Sequence, residues 1–169
     1  MVAFKDLWYR HPANNSTQYP CVAPHGLTNL EGLFVAQGYP VFGNQCSIRM
    51  GVCLKLAGVS PGSLRQPTCN VHAAEEMHYI RAAELARGLA SASIAGVGKV
   101  ERIVGTEASH FYPRIFGRTG IIYIQDYWKR HGETTPTTPL GWRSSWLWVR
   151  TGNRPARRCG RRYPAARRA

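Results

Sequence analysis

The sequence predicts an α+β fold, with N-terminal helices packed on a small antiparallel sheet. Three observations support this. Two stretches with helical apolar periodicity, 45–57 and 72–90, lie in the first half of the chain. Three short β-like runs, 100–104, 120–125 and 146–149, follow in the second half. Separating helices from strands along a chain favours helices layered on an antiparallel sheet over alternating βαβ units.

The segment 1–43 is rich in Pro, Gly and Asn and reads as a short helix near 3–9 followed by loop. Helix 45–57 has Asn44 as its cap and Gly58 in the position after its end. Cys46, Met50, Cys53, Leu54 and Ala57 form one apolar stripe along it, and Arg49 and Lys55 lie off the stripe. Two prolines in "VSPGSLRQPTCN" end helical structure between 59 and 70. The second helix is read over 72–90, with Tyr79, Ala82, Ala83, Ala86, Leu89 and Ala90 inward and Glu75 and Glu76 in its first turn. "VERIV" at 100–104 alternates, "GIIYIQ" at 120–125 is apolar on both faces as in a central strand, and "WLWV" at 146–149 reads as a further strand. The last twenty residues lack apolar periodicity and read as disordered.

The chain has 169 residues, enough for one domain with its own core, and 44% are hydrophobic. Its net charge of +13 is unevenly spread: residues 142–169 contain nine Arg and no acid, so the rest carries only +4. That division argues against a nucleic-acid-binding protein, although "RPARRCGRRYPAARRA" has the charge for phosphate contacts. No apolar run approaches the roughly 20 residues of a membrane-spanning helix, and the N-terminus lacks the apolar core of a secretory signal. Five cysteines at irregular spacing make a poor disulfide framework, with Cys21–Cys69 as a candidate pair in an oxidising compartment. No metal ligand set is read from the sequence and no cofactor is expected. Among the histidines, His72 and His78 are placed on opposite faces of the second helix.

Cys46 has two readings. A lone cysteine on an apolar stripe is commonly a small buried hydrophobe. In the first turn of a helix, however, unpaired N–H groups and the positive dipole end favour a thiolate, and the stripe aims the sulfur at the neighbouring sheet. Cys53, mid-helix on the same stripe, reads as core.

"NQCSIRMGVCLKLAGV" resembles the nucleophile helix of the fourth family of type VI secretion amidase effectors. "HYIRAAELARGLA" is similar to that family's second helix, and "IFGRTGIIYIQDYW" to its Gly-Ile-Ile strand, so the resemblance covers about 40–130. It implies an NlpC-like, papain-related fold and Cys46 as catalytic nucleophile. It also implies cleavage of the amide between D-glutamate and meso-diaminopimelate in peptidoglycan stem peptides. Members are made in the cytoplasm without a signal peptide, injected into the periplasm of a target bacterium, and held in check there by an immunity protein. Cleavage needs a base, which the family supplies from a His after the Gly-Ile-Ile strand. Here that region reads "TTPLGWRSSWLWVRTGN", with no His and no acid. His131, about ten residues earlier, is the nearest substitute in sequence, while His110, His11 and His25 read as surface or loop residues. The abrupt Arg, Trp, Pro and Ala richness is what a shifted reading frame in a GC-rich gene produces. The expected organisation is therefore an amidase-like domain over 1–140, truncated at its C-terminal strands, and an atypical tail over 141–169. A catalytically dead relative that binds wall peptide or an immunity protein is the alternative.

Overall fold

A computed structural model describes residues 1–14, 19–28, 32–104 and 111–124, together with the backbone of two strands at 145–149 and 157–158. Its order is α1 (Phe4–Arg10), β1 (Leu27–Thr28), β2 (Phe34–Val35), α2 (Cys46–Leu56), α3 (Ala82–Ser91), α4 (Tyr112–Ile115), β3 (Gly120–Ile124), β4 (Ser145–Val149) and β5 (Arg157–Arg158). β1 and β2 form a small antiparallel hairpin. β3, β4 and β5 form a second antiparallel sheet in that order, with Gly120 opposite Val149 and Leu147 opposite Arg158. Helices and a small antiparallel sheet make the α+β arrangement that the element order predicts. The sheet takes two strands from the segment read as a tail, so β4, not β3, is the inner strand of the described sheet.

α2 is the hub of the fold and packs against α1, α3 and β4. Its end follows the sequence reading: the N–H of Val59 donates to the Leu54 carbonyl, and Gly58 takes φ +89, a backbone region costly for residues with a Cβ. The predicted stripe is also found. Met50, Cys53 and Leu54 are buried, and Cys46 and Ala57 pack at their margin. These residues meet Leu7 of α1, Leu85 of α3 and, from β3, Ile121 and Tyr123. Ile121 and Tyr123 are two apart and so share one strand face. The Cys53 thiol donates to the Leu7 carbonyl at 3.0 Å, tying α2 to α1.

The opposite side of α2 is buried as well, which the stripe does not foretell. Ile48 and Val52 pack with Cys21, Ala23, Val35, Val41 and Cys69 in a second cluster built mainly from loops. Antiparallel bridges hold those loops, Val22 to Pro40 and Thr68 to Tyr79.

The predicted helix over 72–90 is corrected to α3 at Ala82–Ser91, preceded by a 3-10 turn at Ala74–Glu76. Residues 78–80 spend their backbone groups on the segment before the turn: the Cys69 N–H donates to the His78 carbonyl and the Ile80 N–H to the Pro67 carbonyl. Met77 is left-handed at φ 55, which breaks any helix there. The inward residues of α3 are Leu85, Ala86, Gly88 and Leu89, while Ala83 and Ala90 are exposed. The strand predicted at 100–104 does not form. Val100 and Val104 are exposed, and Glu101 is paired instead with Arg114 of α4 and with Arg118.

Candidate functional site

Cys46 is the first residue of α2 and is half-buried, whereas Cys53 on the same stripe is fully buried. Two neighbours fix this entry. Asn44 Oδ1 accepts the Cys46 N–H at 3.1 Å, so the predicted capping residue does bond to the helix start although Gln45 is the formal cap. Gln45 is buried and grips the backbone of Cys21: its Nε2 donates to the Cys21 carbonyl at 2.6 Å, and its Oε1 accepts the Cys21 N–H at 3.0 Å. The chain is thus turned into α2 with one side chain facing inward toward the loops, and Cys46 follows at the edge of the helical core.

A second group of reactive side chains meets on the far side of Gln45. Cys21, Cys69, His72 and His78 bring their donor atoms to within 4.8 Å of one another. Cys69 Sγ lies 3.3 Å from His72 Nδ1 and 3.7 Å from His78 Nδ1, and Cys21 Sγ lies 3.6 Å from His72 Nδ1. The two rings stand edge to face with centroids 4.6 Å apart. Cys21, Cys69 and His78 are all at most 3% exposed. The hydrogen bond from Cys21 holds the Cys69 thiol well below its ordinary pKa; burial opposes this, and bonds from His78 and His72 add to it. The same bond, together with burial and the charge of Cys69, pushes Cys21 upward.

The structure brings Cys21 and Cys69 together, as the candidate pair, but as two thiols and not a disulfide. It corrects the placement of His72 and His78. They do not stand on opposite faces of a helix; they lie on either side of the 3-10 turn with their rings in contact. This convergence escaped the sequence reading. The local signal for it is the Cys69-x2-His72 spacing followed by His78 after a turn, while Cys21 is too distant in sequence to be picked out. His110, His131, Asp126 and Cys159 lie outside the described residues.

No curated protein and no solved structure is significantly similar to the chain. The family model described as "Type VI secretion system (T6SS), amidase effector protein 4" matches residues 42–141. The match begins just before α2, includes Cys46, α3 and β3, and stops where the composition turns Arg-rich. With more than half of its length matched, this chain belongs to the family of type VI secretion amidase effectors, which act on peptidoglycan in the periplasm of the bacteria they are injected into.

Proposed function

We propose that Cys46 is the nucleophile of this effector and that its chemistry is hydrolysis of the amide between D-glutamate and meso-diaminopimelate in peptidoglycan stem peptides. The observation that carries the reading is the place of the cysteine: half-buried, at the first residue of the central helix and at the margin of the core. Helix-start N–H groups favour the thiolate and point toward a developing oxyanion. Cys46 Sγ, as the thiolate, bonds to the carbonyl carbon, the C–N bond breaks, and the diaminopimelate amine leaves with a proton taken from solvent water. Water then hydrolyses the thioester and restores the thiol. The papain-related NlpC fold that the family resemblance implies belongs to the same proposal.

The chain performs this reaction poorly, because the family's His position after β3 is occupied by an Arg- and Trp-rich stretch. A positioned acid–base group is typically worth about 10²–10⁴ in rate. The Cys46 N–H is also already taken up by Asn44 Oδ1, which an incoming oxyanion must displace. These two features favour, as a second reading, a protein that retains the family's binding of wall peptide or of a periplasmic immunity partner without turnover.

Incubation with purified sacculi tests both readings. A version in which a His-bearing segment of the family pattern follows residue 140 should release stem peptides about 10²–10⁴-fold faster than the chain itself, and adding Cys46→Ala to it should abolish release. Release that survives Cys46→Ala would remove Cys46 from the mechanism. A restored chain that cuts nothing yet binds sacculi independently of Cys46 would establish the binding-only reading.

A further inference from the structure

We propose that Cys21, Cys69, His72 and His78 form a structural zinc site. The site is separate from Cys46 and does not depend on the role assigned to that residue. Its donor set, two thiolates and two imidazoles, is one that selects zinc in a tetrahedral, four-coordinate site. In such a site, metal–sulfur bonds of about 2.3 Å and metal–nitrogen bonds of about 2.0–2.1 Å put sulfur and nitrogen about 3.6 Å apart. The three S···Nδ1 separations of 3.3, 3.6 and 3.7 Å match that edge length. No two donors are farther apart than 4.8 Å, so closing around an ion requires only a small contraction.

The surroundings explain how the ligands come together. The Cys69 N–H bonds to the His78 carbonyl, which closes the loop that carries three of the four ligands. The alternation of Met77, His78 and Tyr79 sends the flanking side chains into the first core and the His78 ring toward Cys69. Gln45 and the Val41 N–H hold the Cys21 backbone from the other side. Four protein ligands leave no open position for a substrate, and three of the four residues are buried, so the site is closed and structural in kind. A disulfide would use the two sulfurs but gives no role to two ring nitrogens converging on them. A divalent ion neutralises both thiolates in a buried place, where uncompensated charge is costly. Bound metal would cross-link the N-terminal loop to the 69–78 loop and, through Gln45, steady the entry of α2.

The test uses the full chain purified under reducing conditions. Zinc measured by plasma mass spectrometry should be equimolar with protein, and cobalt taken up in its place should give the intense visible bands of a tetrahedral ion and a thiolate charge-transfer band. Cys69→Ser and His78→Ala should each weaken zinc binding by more than the roughly 10–100-fold that loss of an outer-shell partner causes, while Cys46→Ala keeps full metal content. Should either ligand variant fail to fold, the cobalt spectrum of the unaltered chain decides. A reduced, folded chain that takes up neither metal would overturn the proposal. So would ligand variants that retain full zinc, or a Cys21–Cys69 disulfide that forms even with zinc in excess.

Discussion

The two sides of α2 are buried by different means. Toward α1, α3 and β3, Met50, Cys53 and Leu54 join a core of regular elements whose inward residues recur at helical or strand spacing. Toward the N-terminal loops, Ile48 and Val52 meet a cluster in which isolated bridges, a buried glutamine and four Cys and His side chains do the holding. Regular elements satisfy their own backbone groups and can rely on apolar area. Loops cannot, so their order rests on a few specific polar contacts, each of which matters more. Along the same stripe, Cys53 is fully buried in that core while Cys46, seven residues earlier at the start of α2, is half-buried at its margin.

The sharpest test of the core side is to push α2 off the 77–79 segment. A Cβ at Gly51 would collide with the Met77 carbonyl and come within 2.7 Å of Tyr79 Cδ2. Because the Met77 contact is backbone, Gly51→Ala should destabilise the chain by about 3 kcal/mol, the upper part of the overpacking range, as read by urea unfolding. A loss no larger than that of a surface substitution would mean that α2 does not lean on the 77–79 segment. Next in size is Gln45→Ala. It leaves the Cys21 N–H without its partner, while the Cys21 carbonyl keeps the Val41 N–H. A loss of about 1–3 kcal/mol is expected for an orphaned buried donor. Hydrogen exchange should show it concentrated at 19–25 and at the first turn of α2, and uniform loosening would argue against a separate loop cluster.

The smallest effect belongs to the ion pair Lys55–Glu76, 2.7 Å long with side chains 35% and 48% exposed. Lys55→Ala should cost less than about 1 kcal/mol, and less still in high salt. The Lys55 hydrogen bond holds the Glu76 carboxyl below its ordinary pKa. Its contribution is therefore present above the ordinary glutamate pKa of about 4.3 and fades as pH falls through the lowered value. Stability curves of the chain and of Lys55→Ala should converge in acid; a gap that widens there would reverse the assigned sign.

Much of the helical side was legible in sequence. α1, α2 with its glycine stop, β3 and β4 lie where composition and periodicity put them, and the place of Cys46 at a helix start is legible from the same pattern. The errors cluster where long-range contacts outrank local preference. Residues 72–81 are polar and Ala-rich enough to read as helix, yet their backbone pairs with 67–69, and Leu85 turns inward in place of Ala83. "VERIV" alternates like a strand, but its glutamate is claimed by Arg114 and Arg118.

By itself the sequence determined the central helix, the half-buried cysteine at its start and the strand at β3. These follow from short-range periodicity and capping, which depend only on neighbours within a turn or two. The tertiary structure alone decided that α2 is buried on both sides, and that Cys21 joins a turn some fifty residues away to make one cluster of sulfur and imidazole. Such convergence is set by how loops close around a core, and no local spacing between Cys21 and His72 encodes it.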